Sequence, residues 1–492
     1  MHLGQFQTST DRYCPHGRTK VLRTQTKLLI SIAIPLLILL LPSRWIPIEG
    51  LTTVEHRLIA IFVAALLFWV LEPIPVFATS LLIILLELTM VSDKSFILFQ
   101  AAEGASQFGT VLSYKAIMAT FASPIIMLFL GGFFLAMAAT KYQLDVNMAR
   151  VLLKPFGTQP RFVLLGLMLI TAVFSMFMSN TATTAMMLAI LAPVLTSFDK
   201  EDRGRIAFAL GIPFAANIGG IGTPIGTPPN AIALKYLTGA QAIGFGTWMS
   251  FAVPVAAILL ALTWILLLWF YKPTTDTLTV SIEGKFRKNW QALTVYVTFG
   301  VTVFLWLFDF LHGMNPYIVA MIPVTVFSAT RIITTKDLQR MSWDVLWLVS
   351  GGIALGLGLE QSGLAQHLID SIPFAEFNAY VLVFSATLAT ILMATFMSHT
   401  ATANLLMPIM AVLGTTLPSL EPLGGARMII LAVAFSSSLA MSLPISTPPN
   451  AMAHATGYLE TKHMVKTGVI VGCAGLLSVY ALIAVLNGVG FL

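Results

Sequence analysis

The sequence predicts an all-α polytopic membrane protein built from two related halves that insert in opposite orientations. Of its 492 residues, 57% are hydrophobic and only 10% are charged, whereas soluble domains carry about 25% charged residues. Apolar runs long enough to cross a hydrocarbon core of about 30 Å recur along the chain. Two polar motifs interrupt these runs, and each returns 219 or 220 residues later.

The duplication is clearest in a segment of nine residues. Residues 223–231 read Thr-Pro-Ile-Gly-Thr-Pro-Pro-Asn-Ala and return at 443–451 as Leu-Pro-Ile-Ser-Thr-Pro-Pro-Asn-Ala. Upstream, Phe-Met-Ser-Asn-Thr-Ala-Thr at 177–183 returns at 396–402 as Phe-Met-Ser-His-Thr-Ala-Thr. A weaker echo, Gly131-Gly132, returns as Gly351-Gly352. Because the pairs keep nearly one offset, we infer an internal duplication.

The chain divides in order into a tail, a first helix and two repeats. Residues 1–27 are polar and basic without a cleavage-site pattern, which predicts a cytoplasmic tail. A first transmembrane helix is expected at 28–48, the first repeat at 57–271, a cytoplasmic linker at 272–288 and the second repeat at 289–492. Further spans are expected at 57–72, 74–91, 122–140, 246–271, 290–310, 314–332, 344–361 and 466–489, with an amphipathic interfacial stretch at 94–120 and a cytoplasmic surface helix at 141–161.

Each repeat contains one long apolar segment with a polar triplet near its middle. The part on each side of the triplet is too short to cross the membrane by itself. Residues 162–195 and 378–417 carry the Ser-Asn-Thr and Ser-His-Thr triplets near their middles, which predicts two re-entrant hairpins. Prolines and glycines break the helices expected at 206–236 and 424–458. These elements make about eleven transmembrane helices and two hairpins. Broken helices at matching positions of two halves indicate a transporter binding site, although proline kinks that only shape packing would give the same pattern.

Positive charge predicts the orientation. Five spans per repeat is an odd number, so the repeats must be inverted relative to each other. With the N-terminus in the cytoplasm and the C-terminus outside, 21 of the 27 Lys and Arg residues fall on the cytoplasmic side. The exceptions are Arg44, Arg57, Lys94, Lys115, Lys235 and Arg427. Because the basic residues are spread over separate loops, we expect no nucleic-acid partner.

The hairpin tips and helix breaks carry neutral hydrogen-bonding side chains. Hydroxyls and amides beside helix N-termini suit anions, and hydroxyl and free carbonyl oxygens suit Na⁺. No Arg or Lys lies in these segments, so a dianion there needs cations beside it. A single Ser or Thr in such a helix more often bonds back to its own helix. The candidates are Ser175, Ser179, Asn180, Thr181, Thr223, Thr227 and Asn230 in the first half, and Ser398, His399, Thr400, Ser446, Thr447 and Asn450 in the second.

These motifs resemble those of the divalent anion/sodium symporter family, and the resemblance covers nearly the whole chain after residue 28. It implies an elevator-type transporter of C4-dicarboxylates, citrate or sulfate, a homodimer in a bacterial inner membrane, with Na⁺ as the coupling ion. The implied substrate-binding residues are Ser179, Asn180, Thr181, Thr227, Ser398, His399, Thr400, Thr447 and Pro448. The implied ligands of a first Na⁺ are Ser175, Ser179, Asn180, Gly222 and Thr223, and those of a second are Ser398, His399, Ser442 and Ser446.

The second half departs from the family pattern. Ala394 stands where sodium-coupled members carry a hydroxyl, and His399 stands where they carry an amide. We therefore expect the second Na⁺ site to be altered or absent, which would make the protein a symporter with changed stoichiometry or an exchanger with reduced Na⁺ dependence. The alternative is that neutral His399 simply replaces Asn as a hydrogen-bond donor. The residues fit succinate, malate, fumarate, 2-oxoglutarate, citrate or sulfate equally well.

The sequence also bears on two other classes of protein, an anion channel or receptor and an intramembrane enzyme. An anion channel or receptor could use the same pocket, but matched inverted repeats favour a transporter because they supply two interchangeable states. An intramembrane enzyme would need a nucleophile–base pair or a metal motif such as His-Glu-x-x-His, and the sequence shows neither. Cys14 and Cys473 are isolated and suggest no thiol chemistry. We therefore expect no enzymatic activity.

Overall fold

A computed structural model describes residues 15–100, 107–199, 201–278 and 285–492. Over these ranges the named elements are all helical, with one isolated bridge between Ser92 and Leu112. Eight helices of at least 18 residues are apolar enough to cross a membrane, and shorter apolar helices accompany them. The all-α membrane fold class is confirmed, while the count of eleven spans and the elevator movement stay predictions. Arg12 and Lys200, which entered the charge distribution, lie outside the described residues.

Most spans lie within a few residues of their expected positions, and the first helix is the exception. It covers Pro15–Leu40 rather than 28–48. Pro42 and Pro47 lack the N–H that a helix needs and disfavour helical backbone in the residue before them, so the helix stops early. The other long elements are Thr53–Leu71, Val76–Met90, Pro124–Lys141, Leu144–Leu153, Phe245–Phe270, Trp290–Leu307, Pro316–Ala329, Trp343–Ser362 and Thr461–Gly488.

The stretch 94–120 is not one amphipathic element. Where it is described, it contains a short turn of 3-10 helix at Ile97–Phe99 and then extended backbone. The span expected at 122–140 is the helix Pro124–Lys141, which starts close to the expected position. A separate short helix, Tyr114–Ala119, begins inside the stretch and is followed by a 3-10 turn at Thr120–Ala122. The Asp93 carboxylate accepts a hydrogen bond of 2.8 Å from the Tyr114 backbone N–H and so satisfies a donor at this helix start.

Both hairpins form, and matched serines shape their tips. The first hairpin pairs Pro160–Ser175 with Asn180–Thr196, and the second pairs Ala379–Phe396 with His399–Thr416. Ser179 and Ser398 precede the second arms with extended backbone, and each Oγ accepts a hydrogen bond of 3.2 Å from the backbone N–H three residues on. These are N-caps, so the first Ser of each triplet fixes where the second arm starts.

Both broken helices form as well. The first broken helix comprises Gly204–Ile221 and Pro228–Tyr236, and the second comprises Gly425–Ser438 and Pro448–Ala455. Each downstream piece starts with proline, which costs no hydrogen bond at the first position of a helix. The first broken helix packs tightly on the first hairpin, because a Cβ atom at Gly219 would lie 2.3 Å from the Ala172 carbonyl oxygen.

The repeated glycine pairs, Gly131-Gly132 and Gly351-Gly352, lie where the two halves pack against each other. A Cβ atom at Gly131 would lie 2.4 Å from the Ala320 carbonyl oxygen, and one at Gly351 would lie 2.3 Å from Ser80 Cβ. Each glycine therefore belongs to a span of one half that packs against a span of the other half. Glycine at both positions allows this close approach.

Candidate functional site

The first helix break is held by the side chain of Asn230. Its Nδ2 donates to the carbonyl oxygens of Gly220, Ile221 and Thr223 at 3.0, 3.1 and 2.8 Å. Trp248 Nε1 donates to the Ile221 carbonyl as well, at 3.1 Å. Backbone carbonyls freed by a helix break have no water to bond inside a membrane. Asn230, a candidate ligand by sequence, therefore uses its nitrogen to satisfy the broken backbone.

The Asn450 side chain stabilises the second break in the same way, by donating hydrogen bonds to its backbone carbonyls. Its Nδ2 donates to the carbonyl oxygens of Met441 and Leu443 at 2.8 and 3.0 Å. These carbonyls lie 220 positions after those of Ile221 and Thr223, so the Thr-Pro-Pro-Asn repeat is a duplicated structural device. The asparagine at the third helical position reaches back over the break that the prolines create.

The two halves of the site touch through Asn217, a residue that sequence reasoning missed. Its Nδ2 lies 3.2 Å from Thr447 Oγ1 and 3.2 Å from Asn450 Oδ1. Asn217 is 1% exposed and sits in the apolar part of the first broken helix. A lone amide in an apolar helix was the available signal, because a buried amide needs a partner.

The tip of the first hairpin encloses a cluster of oxygen atoms around Asn180. Ser175 Oγ donates its single proton to the Ala216 carbonyl at 2.8 Å. The Asn180 atom 2.6 Å from Ser175 Oγ is therefore the amide nitrogen, which also donates to the carbonyl oxygens of Gly226 at 3.1 Å and Ala216 at 3.3 Å. We name Ser175 Oγ, Ala216 O and Gly226 O the oxygen cluster.

This oxygen cluster fits the Na⁺ that the family resemblance implies. The cluster is held together by an amide N–H group, and a cation could bind the same oxygens. Rotation of the Asn180 amide would add a further oxygen to them. Neutral hydroxyl and carbonyl oxygens of this kind suit Na⁺ beside an unwound helix. Thr223 lies next to the cluster, since its Oγ1 donates to the Met176 carbonyl and accepts from Gly226 N at 3.0 Å.

The matching position in the second half lacks this arrangement. Ala394 replaces the Ser175 hydroxyl, and His399 Nε2 donates to the Ala440 carbonyl at 2.6 Å. His399 is 7% exposed. The imidazole N–H thus occupies the Ala440 carbonyl at the start of the second break. Ser446 Oγ is also engaged, because it donates to the Thr395 carbonyl at 2.8 Å and accepts from Leu443 N at 3.3 Å.

The remaining predicted residues differ in exposure. Thr227 and Thr447 precede the downstream helix pieces and are buried, and Thr447 Oγ1 accepts from Asn450 N at 3.2 Å. Thr400 is buried, whereas Thr181 and Pro448 are exposed. Ser442 and Gly222 lie in the breaks themselves. Ser179 lines a cavity of about 390 Å³ beside the first hairpin tip.

The fold and this site define an integral membrane protein of the transporter class, with two duplicated halves and a polar centre at their helix breaks. The chain belongs to the sodium:sulfate symporter family, whose transmembrane-region model matches residues 22–489. It is similar to the sodium-dependent dicarboxylate transporter SdcS of Staphylococcus saprophyticus, with 30% identity over 440 residues that cover 81% of this chain and 80% of that protein.

Two further proteins are similar to this chain. An uncharacterized transporter of Schizosaccharomyces pombe is 31% identical over 440 residues, which cover 84% of this chain but only 48% of that longer protein. Among solved structures, the YdaH transporter of Alcanivorax borkumensis aligns with a TM-score of 0.51 at 14% identity, covering 88% of this chain and 99% of that one. The structural likeness shows a shared fold.

Proposed function

We propose that the protein is a secondary active transporter that couples the movement of C4-dicarboxylates such as succinate, malate and fumarate to Na⁺. The observation that carries this proposal is the oxygen cluster of Ser175, Ala216 and Gly226 around Asn180. Its neutral oxygens suit a monovalent cation, and the adjacent helix N-terminus suits an anion. The name of the Staphylococcus relative points to the same pair of ligands.

The substrate would lie between the two hairpin tips. Ser179 and Ser398 use an oxygen lone pair as N-caps, which leaves each hydroxyl proton free to donate to a carboxylate. Na⁺ held by Ser175 and Asn180 would supply positive charge next to the dianion. Thr181, Thr227, His399, Thr400, Thr447 and Pro448 complete the proposed substrate site. Sulfate and citrate are the alternative substrates within the family.

The second candidate function is dicarboxylate exchange with reduced Na⁺ dependence. It is favoured by the contact between His399 Nε2 and the Ala440 carbonyl, together with Ala394 in place of a hydroxyl. A protein with one Na⁺ site instead of two would move one fewer Na⁺ ion with each dianion. Under this proposal the protein remains a homodimer with the elevator movement that its family resemblance implies, in a bacterial inner membrane with a cytoplasmic N-terminus.

The test is uptake of labelled succinate by the purified protein in proteoliposomes. External Na⁺ is compared with K⁺, and each is measured with and without internal succinate. Uptake that needs external Na⁺ and no internal substrate supports symport. Uptake that needs internal dicarboxylate and ignores Na⁺ supports exchange. If labelled succinate enters under none of these conditions, while sulfate or citrate does, the dicarboxylate assignment is wrong.

A further inference from the structure

A cavity of about 390 Å³ lies between the first hairpin and two segments outside it. Met178, Ser179 and Ala182 form the wall on the hairpin side. The opposite wall comes from the end of the helix Pro124–Lys141 and from residues 337–342. The size falls within the range of about 300–1,000 Å³ typical of small-molecule sites. The cavity therefore connects a proposed substrate-binding hydroxyl with charged side chains elsewhere in the chain.

Two of those charged side chains neutralise each other. Lys141 Nζ lies 2.6 Å from Asp337 Oδ2 and also donates to the Ile332 carbonyl at 2.8 Å. Asp337 Oδ2 further accepts from Thr334 N and Thr334 Oγ1, at 2.8 and 2.7 Å. Partial burial would raise the pKa of Asp337, but the hydrogen bonds from Lys141 and Thr334 outweigh it and lower that pKa. The carboxylate is thus charged and fully engaged with Lys141.

Arg340 is the remaining charge in the cavity wall. Its side chain is exposed and forms no ion pair with any residue in the described ranges. Because Asp337 is already paired with Lys141, the guanidinium leaves the cavity with a net positive charge. A guanidinium can also bind a carboxylate through two parallel hydrogen bonds. The sequence had placed no cation in the hairpin tips or helix breaks, and Arg340 supplies one from another part of the chain.

Building on the proposed function, we propose that Arg340 selects dianions at the entrance to the first hairpin. One carboxylate pairs with the guanidinium and the other accepts a hydrogen bond from the Ser179 hydroxyl, since both side chains line the same cavity. A monoanion can satisfy only one of these two partners. The positive-inside distribution places Lys141 and Arg340 on the cytoplasmic side, so this selection acts on substrate at the cytoplasmic face.

The test is equilibrium binding of labelled succinate to the purified full-length protein in detergent at constant Na⁺. Arg340→Gln removes the charge, Arg340→Lys keeps it, and Lys336→Gln removes an exposed charge close in sequence but outside the cavity wall. We expect Arg340→Gln to raise the Kd about fivefold at low salt, the scale of an exposed ion pair. Arg340→Lys should retain most of the affinity, and Lys336→Gln should match wild type. The difference should vanish in about 1 M choline chloride, where the Debye length is about 3 Å.

Competition adds a readout that a change in folding would not produce. Unlabelled butyrate, a monoanion of similar length, should compete much more weakly than unlabelled succinate for wild type, and this preference for the dianion should shrink in Arg340→Gln because both ligands then have only the Ser179 hydroxyl. The inference is overturned if Arg340→Gln binds succinate like wild type, or if Lys336→Gln weakens binding as much. A wild-type protein that binds none of succinate, citrate and sulfate would overturn the proposed function itself. Normal wild-type binding with an unaffected Arg340→Gln variant would overturn only the role of Arg340.

Discussion

Asn217 of the first half and Thr447 of the second are joined by a hydrogen bond of 3.2 Å at the centre of the protein. The same Nδ2 group reaches Asn450 Oδ1, so one amide touches the residue before the second downstream helix and the residue that holds the second break together. The first broken helix therefore contacts the second break directly, through hydrogen bonds from a single amide group.

Replacing Asn217 with Ala should lower the free energy of unfolding by about 1–3 kcal/mol, because it leaves the buried Asn450 Oδ1 without this donor. Thermal unfolding of the purified protein measures the loss. Ser250→Ala is the control, because its exposed hydroxyl bonds only within its own helix, to the Thr247 carbonyl. An Asn217→Ala variant as stable as the control would show that the contact between the halves carries no energy.

The asparagines of the two breaks should be about equally important. Asn230→Ala loses three side-chain hydrogen bonds to carbonyls, and Asn450→Ala loses two to carbonyls and one from Asn217 Nδ2. At about 1 kcal/mol for each bond, we expect destabilisation of about 3 kcal/mol in both variants. Denaturant or thermal unfolding of both variants tests this equality. A smaller loss for Asn230→Ala would mean that Trp248 compensates at the first break through its bond to Ile221.

Much of the architecture could be predicted because duplication marks it. Motifs that return at a fixed offset identify both hairpins and both broken helices. The prolines indicate where each helix must stop, because proline has no backbone N–H to donate. The start of the first helix could not be predicted in this way, because polar residues outside the hydrocarbon core leave no hydropathy signal. The helix therefore reaches back to Pro15 through residues assigned to the tail.

The sequence could identify residues of the candidate site, but it could not predict which bonds each residue makes. Asn230 and Asn450 were recognised as polar groups at the breaks, yet their nitrogens bond the backbone rather than remaining free for ligands. Whether each amide nitrogen bonds the backbone depends on where the folded chain places the backbone carbonyl groups. Asn217 was missed because its partners lie far along the chain, and Arg340 because the cavity it lines is built from distant segments, which sequence spacing does not report.

Asp202 should stabilise the connection between the first hairpin and the linker in a pH-dependent way. Its carboxylate accepts from the backbone N–H groups of Gly204, Thr274 and Thr275 and from Thr275 Oγ1. Burial would raise the pKa of Asp202, but these hydrogen bonds outweigh it and the pKa is lowered. A lowered folded-state pKa adds stability that is complete above the unfolded pKa of about 3.9 and is lost as the pH falls through the folded value.

Asp202→Ala should therefore cost about 1–2 kcal/mol near neutral pH. The difference from wild type should shrink as the pH falls below about 4. The control is Asp199→Ala, an exposed neighbour. Unfolding temperatures measured between neutral and acidic pH test both statements. A difference that is constant over the whole range would show that the Asp202 charge does not contribute.

The second half carries Ala394 and His399 where the first half carries Ser175 and Asn180 of the oxygen cluster. The double variant Ala394→Ser with His399→Asn restores in the second half the hydroxyl and amide that Ser175 and Asn180 supply in the first. It also releases the Ala440 carbonyl from the imidazole. We expect the Na⁺ dependence of succinate uptake to become steeper and the ratio of Na⁺ to succinate to rise by about one ion, since a second oxygen cluster becomes available.

The single variants separate the two contributions. His399→Asn alone lacks the hydroxyl, and Ala394→Ser alone keeps the imidazole on the carbonyl, so each should leave the ratio close to wild type. Dual-label flux of ²²Na⁺ and succinate in proteoliposomes measures the ratio. If the double variant matches wild type, His399 is a conservative replacement and the second half already contributes all the Na⁺ binding it can. If the ratio rises with His399→Asn alone, the imidazole by itself blocks the second site and the Ala394 position is irrelevant to coupling.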